Sequence, residues 1–226
     1  MSRPVKRPVT RSASAGKVRR AAESPWDIAA FCRRDPMEVA RGLLGCFVVR
    51  EVEGVRLAGR IVETEAYLAA GDPACHAARG VSNKNRSMFG PPGRAYVYAI
   101  HSRWCLNVVT EAEGTGSAVL IRAIEPLEGL DLMRAHRQLD AVLDLARGPG
   151  RLCEALAIDK RFDGWDLARR DGLWVEPAQS GLCRASLVAC SPRIGVTSGE
   201  DLWLRFFDAA SPYVSGKKSG PSRILA

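Results

Sequence analysis

The run IVETEAY, from Ile61 to Tyr67, constrains this chain more than any other stretch. Two carboxylates stand one residue apart among Val, Thr and Tyr, residues that favour a strand over a helix. Alternate side chains of a strand share a face, so Glu63, Glu65 and Tyr67 project to one side and Val62, Thr64 and Ala66 to the other. A half-exposed strand with a charged outer face would carry the same letters. The residues downstream set this run apart. A loop containing His76 and NKNRSMFGPPG (Asn83 to Gly93) leads to a second strand bearing Tyr96 and Tyr98. An acid, aromatic faces and a basic loop are the parts needed to hold and hydrolyse a flat, stackable substrate.

The rest of the chain predicts hairpins with helices packed around them. Ser24-Pro25 and Asp35-Pro36 each join a good N-cap to a proline at the first helical position, predicting one short helix through Phe31 and Cys32 and a second that stops at Gly45. Phe47 to Glu51 reads as a strand, and a turn at Glu53-Gly54 returns the chain into Arg56 to Tyr67. Ala69 to Gly93 is a long irregular segment, of a length that is usually functional or mobile. Ala95 to Ile100 and Trp104 to Thr110 form a hairpin with His101, Ser102 and Arg103 at its tip. Ser117 to Ile124, Leu173 to Glu176, Ser186 to Val196 and Leu202 to Phe207 read as further strands. Leu130 to Leu139 and Arg151 to Leu156 read as helices, the second after the breaker run RGPGR. The expected fold is α+β: a single domain with a largely antiparallel, curved sheet and surrounding helices. With 226 residues, 46% of them hydrophobic, the chain can bury one sizeable core, and no run of 18 apolar residues exists to span a membrane.

The net charge of +8 points to an anionic partner. Residues 1–23 carry seven Lys and Arg against Glu23 alone, hence +6 of that total, and their Pro, Ser and Ala content predicts a disordered basic tail. An organellar transit peptide and a nonspecific phosphate-binding arm both fit its composition. Residues 24–215 form the expected folded domain, and 216–226, with Lys217, Lys218 and Arg223, a second basic tail. Seven cysteines without a C-x-x-C pair, and no secretory h-region, favour reduced thiols in a cytosolic compartment. Three histidines without ligand spacing argue against a metal site, so no metal or cofactor is expected.

Arg122 is the one charge inside the apolar run SAVLIRAI. Left unpaired there it would cost several kcal/mol, so it must point into a site or meet an acid, with Glu65 the natural partner. A purely structural ion pair would satisfy the same requirement. In the functional reading Glu65 deprotonates a water and Arg122 keeps that carboxylate ionised.

These residues lie within a set of ordered motifs: ARGLLG (Ala40 to Gly45), GRIVETEAY (Gly59 to Tyr67), DPACHA (Asp72 to Ala77), NKNRSMFGPPGRAYVY (Asn83 to Tyr98), CLNVV (Cys105 to Val109), VLIRAIEPLEG (Val119 to Gly129), GPGRLCEALAI (Gly148 to Ile158) and PRIGV (Pro192 to Val196). In their order and spacing they resemble the alkyladenine (3-methyladenine) DNA glycosylase family, from about Ala40 to Ser215. The resemblance implies a fold like the C-terminal domain of formyltransferases and a base-excision enzyme without metal or covalent intermediate. Such an enzyme flips a damaged purine out of duplex DNA and hydrolyses its N-glycosidic bond. By position Glu65 matches the general base, while Arg122 and the backbone carbonyl of Ile194 match the groups that place the water. Tyr67, His76 and Tyr98 match the walls of the base pocket, and Asn107 the residue that discriminates against guanine.

One departure stands out. Many family members carry a wedge tyrosine and then glycine after the YVY strand, where this chain reads AIHSRWCLN, with His101 at the tyrosine position and one residue fewer before Asn107. His101 is then the expected wedge, Arg103 a phosphate or minor-groove contact, and Lys84 and Arg86, with Arg79, phosphate contacts. With Lys84 the one lysine near the pocket, and in a phosphate-binding loop, no strand cleavage coupled to excision is expected. The resemblance further implies a monomer acting on double-stranded DNA with damaged purines, cytoplasmic and nucleoid-associated in a bacterium. Two other readings stay open on the residues: a module that binds distorted nucleic acid without catalysis, and a hydrolase of free nucleosides.

Overall fold

The computed structural model describes residues 26–177, 185–216 and 221–225. The basic segment 1–23, the Ser24-Pro25 pair, Lys217 and Lys218 lie outside the described residues. Helix α1 (Ile28–Cys32) is capped by Asp27, whose carboxylate accepts from the N–H groups of Ala29 and Ala30, so the cap falls three residues later than the expected Ser24. Helix α2 (Pro36–Leu43) follows the sequence expectation, with Asp35 as N-cap and Pro36 in the first turn.

The strands are β1 (Phe47–Val52), β2 (Val55–Tyr67), β3 (Ala95–Ile100), β4 (Arg103–Thr110) and β5 (Ser117–Glu128). After helices α3 (Leu130–Arg137), α4 (Val142–Leu145) and α5 (Pro149–Ala155) come β6 (Leu173–Glu176), β7 (Val188–Ser191), β8 (Arg205–Asp208) and β9 (Arg223–Ile224). Helix α4 is too short to leave a periodic signal. Helix α5 starts inside the expected breaker run, because Pro149 lies in its first turn, where the missing N–H is not needed. The expected long strand from Ser186 shrinks to β7, which ends where Pro192 would remove a ladder donor.

All the paired strands run antiparallel in one sheet of order β3-β4-β5-β2-β8-β7-β9, with β1 beside β2 and β6 beside β1. Strand β2 is its axis. β5 covers one of its edges, while the other is shared by β1 along the first half and β8 along residues 63–65. The β2–β5 ladder steps from Ile61↔Ile124 to Glu63↔Ala123 and then to Thr64↔Ile121. Val62 is therefore an extra residue on β2, and Arg122 an extra residue on β5. The two bulges flank one pair and cancel, so the register beyond them is the register before them. Bulges bend a strand and re-aim its side chains, and these two lie at the acidic run.

One face of the sheet is roofed by helices. Thr64 donates to the carbonyl of Ala40 in α2 at 2.9 Å, and Leu43, Leu44, Ile61, Ile121, Leu152 and Phe206 join one buried apolar cluster. Each such side chain contributes roughly 1.5 to 3 kcal/mol by leaving water. Gly59 lets β2 approach β5 closely: a Cβ there would lie 2.6 Å from Ile124 Cδ1 and 2.9 Å from the Glu125 carbonyl. No helix among the described residues is long and apolar enough to cross a membrane. Five cysteines, 32, 75, 105, 153 and 190, are buried free thiols, whereas Cys46 is disulfide-bonded, which corrects the expectation of uniformly reduced thiols at that position.

Candidate active site

A single row of residues crosses six strands. Tyr96 on β3 faces Asn107 on β4, which faces Leu120 on β5; Leu120 faces Glu65 on β2, Glu65 faces Arg205 on β8, and Arg205 faces Ser191 on β7. Facing residues in an antiparallel ladder share a side of the sheet. Register alone therefore brings the aromatic strand, the amide and the acid onto one surface, opposite the helices. Two residues along, Tyr67 faces Ala118 and Tyr98 faces Cys105 on the same side.

The acidic stretch is not a solvated face. Glu63 and Glu65 are both 0% exposed, and Arg122 lies between them with Nε 3.1 Å from Glu63 Oε1 and Nη1 3.1 Å from Glu65 Oε2. Burial alone would pull the Arg122 pKa down, but Glu65 and Glu63 overcome it and hold the guanidinium charged beyond its ordinary range. A second arginine closes the cluster. Arg205 donates through Nε to Glu63 Oε1 at 2.6 Å and through its other nitrogens to Ser191 Oγ and the Ser215 carbonyl, both at 3.0 Å. The N–H of Ser215 donates to Glu63 Oε2 at 2.7 Å. Two carboxylates and two guanidiniums thus balance where either sign alone would be costly.

Glu65 accepts two hydrogen bonds, from the Ile194 N–H at 2.8 Å on Oε1 and from the Tyr67 hydroxyl at 3.0 Å on Oε2, and is ion-paired with Arg122 Nη1 at 3.1 Å from Oε2. An ionised carboxylate has about four acceptor positions, so these two bonds do not exhaust it. The role expected of Ile194 runs through its carbonyl; the bond to Glu65 is made by its amide. Burial, then Glu65, push the Tyr67 hydroxyl well above the usual phenol range, so it stays a donor. Behind Tyr67, the Arg193 guanidinium lies 4.6 Å from the ring centroid and holds Asp72 through two 2.6 Å bonds, with both side chains fully buried. Arg193 keeps the Asp72 carboxyl below its ordinary range against the opposing effect of burial. This pair anchors the PRIGV segment that delivers the Ile194 N–H.

Tyr67, His76, Met88, Tyr96, Tyr98 and Asn107 line a narrow cleft. His76 meets Tyr98 edge-on at 4.6 Å between centroids, and its Nδ1 lies 2.7 Å from the Tyr96 hydroxyl. Partial burial, then Arg79, lower the His76 pKa, which favours neutral imidazole. The Asn107 amide nitrogen donates to the carbonyls of Tyr96 and Cys105 at 3.0 and 3.4 Å. Two acceptors on one end fix which end is NH2, so the oxygen is the end left for other partners. A larger hollow of about 390 Å³ lies beside the ionic cluster, lined by Arg193, Ile194, Arg205 and Ser215 among others. Glu65 lies behind the aromatic wall of the smaller cleft, joined to it through the Tyr67 hydroxyl.

Asn85 ties the basic loop to the cleft, donating to the carbonyls of His76 and Gly80 while its oxygen accepts from the Ser82 N–H. Arg79, Lys84 and Arg86 are exposed on this loop. The β3–β4 tip has two residues rather than three. His101 and Ser102 both have positive φ, 46° and 63°, as a tight type I′ turn demands, and Arg103 already belongs to β4. His101 is exposed beside an exposed Ile100, and Arg103 reaches Glu154 at 3.7 Å.

Of the site residues expected from the sequence, Tyr67, His76, Tyr98 and Asn107 line one cleft, and Glu65, Arg122 and the Ile194 amide form the cluster that Tyr67 joins to it. His101 and Arg103 stand apart at the hairpin tip, and Lys84 and Arg86 on the loop. Arg205, Arg193, Asp72 and Asn85 join the site without having been expected there, and Tyr96, singled out with Tyr98 on the aromatic strand, lines the cleft. Arg205 carries the same signal as Arg122, a single charge inside the apolar run LWLRFF.

The candidate site thus joins a buried ionic cluster to an aromatic cleft, with Arg79, Lys84 and Arg86 exposed on the adjoining loop. Residues 30–212 match the family described as methylpurine-DNA glycosylase (MPG). The chain belongs to that family and is a DNA glycosylase of DNA repair. It is 50% identical over 191 residues to a protein of Rhodopirellula baltica, covering 82% of this chain and 81% of that one. With a protein of Methanoculleus marisnigri it shares 51% identity over 190 residues, 83% of this chain and 97% of the relative. A Mesorhizobium japonicum protein is 45% identical over 186 residues, 82% and 88% of the two chains. All three bear the name "Putative 3-methyladenine DNA glycosylase".

Proposed function

We propose that the protein is a monofunctional glycosylase that flips alkylated or deaminated purines, 3-methyladenine among them, out of duplex DNA. It then hydrolyses the N-glycosidic bond with a water activated by Glu65. The observation that carries this reading is the acceptor capacity that Glu65 keeps beside its Ile194 and Tyr67 bonds and its Arg122 ion pair, one hydrogen bond behind the Tyr67 wall of the aromatic cleft. A water held there gives its proton to the carboxylate as its oxygen attacks C1′ of the sugar, and the purine departs with the bonding pair. An N-alkylated purine already carries positive charge and leaves readily, so a positioned nucleophile and a fitted pocket suffice.

Tyr67, His76 and Tyr98 supply the stacking faces, at roughly 1 to 3 kcal/mol per base. Lesion pairs are weaker than normal pairs, which makes flipping easier by a few kcal/mol. His101 fills the space left in the duplex, and Lys84 and Arg86 hold phosphates. Among the described residues the lysines are Lys84, exposed on the loop, and Lys160, paired with Asp163 at 2.7 Å; neither lines the cleft, which favours hydrolysis without a lyase step.

The test is single-turnover excision on duplexes carrying one hypoxanthine, one ethenoadenine or undamaged adenine, resolved with and without alkali, for wild type and Glu65→Gln. Lesion-dependent cleavage that needs alkali and disappears in Glu65→Gln is the expected result. Tight, salt-sensitive binding with no excision of these or of methylated purines would return the protein to the non-catalytic reading.

A further inference from the structure

We propose that Glu63, with Arg205, is a positioning pair for this glycosylase: it fixes the Arg122 guanidinium against Glu65 and sets the charge balance under which Glu65 works. The inference rests on the reading of Glu65 as the base, and it assigns Glu63 no contact with substrate.

Three observations carry it. First, Glu63 is fully buried and is met by every strong donor that reaches it: Arg122 Nε at 3.1 Å, Arg205 Nε at 2.6 Å and the Ser215 N–H at 2.7 Å. A carboxylate kept only to balance Arg122 would be redundant, since Glu65 already does so at 3.1 Å. Second, the geometry is diagonal. Arg205 stands opposite Glu65 in the ladder, yet its guanidinium turns to Glu63, which leaves Glu65 to Arg122, Tyr67 and Ile194. Third, Arg122 occupies a bulge, where the ladder does not dictate the direction of its side chain, and the Glu63 bond to Nε is what aims Nη1 at Glu65.

The groups around Glu65 are few. Glu63 and Tyr67 come from its own strand, Tyr98 from β3, Cys105 from β4, Arg122 from β5, Arg205 from β8, and Arg193, neutralised by Asp72, from the PRIGV segment. Among these, Glu63 and Arg205 are the charges of opposite sign that touch each other and do not touch Glu65. Removing either charge therefore changes the field at Glu65 while its Ile194 and Tyr67 bonds stay, and the two removals must act in opposite senses.

The experiment is the pH profile of single-turnover excision on a hypoxanthine duplex. Glu63→Gln removes a negative charge from the cluster, and the acid limb of the profile moves to lower pH. Its plateau falls roughly 10- to 100-fold as Arg122 loses its aim. Arg205→Gln moves the limb to higher pH, and the double variant Glu63→Gln/Arg205→Gln brings it back. His76 titrates in all of them and cancels from the comparison. A packing role alone would lower thermal stability and rate while leaving every limb at the wild-type pH; that result, or limbs displaced in the same direction, overturns the proposal. If either neutral variant does not fold, Glu63→Asp and Arg205→Lys decide, since they keep the charge and spoil the reach. They must hold the wild-type limb at a reduced plateau, and a displaced limb overturns the idea. Full excision by Glu65→Gln would instead remove the general-base reading itself.

Discussion

The Ile194 amide donates to Glu65 Oε1 at 2.8 Å, and the Ile194 side chain has no part in that bond. The contribution is a backbone one, held in place by the buried Arg193–Asp72 pair next to it. Ile194→Ala should therefore excise at close to the wild-type rate, while Ile194→Pro, which lacks the N–H, should lose roughly 10²-fold, as for removal of one preorganised donor. Equal rates for the two variants in single-turnover assays would remove this N–H from the mechanism.

His76 gives the cleft a pH dependence of known sign. Its folded pKa lies below the ordinary histidine value of 6.5 because of burial and Arg79, so the neutral ring is favoured in the folded state. The stability this contributes is fully present above 6.5 and is lost as pH falls through the lower folded value. Affinity for a cationic alkylpurine should fall over the same window, because a charged imidazolium repels it. In His76→Phe that part of the acid loss should vanish from the binding titration.

Gly59 has no space for a methyl group. Gly59→Ala would press a Cβ against Ile124 and the Glu125 carbonyl, at 2.6 and 2.9 Å, and the carbonyl cannot swing away as a side chain end can. Overpacking of this kind costs about 1 to 3 kcal/mol. Thermal melting should show a drop of roughly 3 to 10 °C.

The hairpin tip separates two roles. His101 is exposed on a turn with both central φ values positive, while Arg103 sits on β4 with its charge near Glu154. His101→Ala should slow excision from duplex and leave excision from single-stranded DNA unchanged, because only the duplex has a hole to fill. Arg103→Ala should weaken binding to damaged and undamaged duplex alike and flatten its salt dependence by about one phosphate. Unimpaired duplex excision by His101→Ala, together with its loss in Arg103→Ala, would reassign the wedge.

Period-two alternation makes the acidic face of β2 legible in the sequence, and Glu63, Glu65 and Tyr67 do share it. The same reasoning places Arg122 against Glu65, since a lone charge in an apolar strand has few places to go without a large desolvation penalty. What alternation cannot express is which strands become neighbours. Asp72 and Arg193 are 121 residues apart and Glu63 and Arg205 are 142 apart, so neither pair leaves a local pattern. Helix starts show the limit of short signals. Asp27 and Asp35 both cap as their chemistry allows, whereas Ser24-Pro25 carries the same kind of signal and α1 begins beyond it.

The two extra residues, Val62 on β2 and Arg122 on β5, cancel across the Glu63–Ala123 pair. Chemistry and architecture are in this sense detachable. Deleting both residues would remove these two irregularities and leave every strand its partner, while Glu63 and Glu65 would lose the guanidinium between them. Deleting one alone would turn half a central strand inside out. Any lineage that lost or gained this site by insertion would have to change two distant codons together, so the bulge pair also acts as a lock on the reading frame of the sheet.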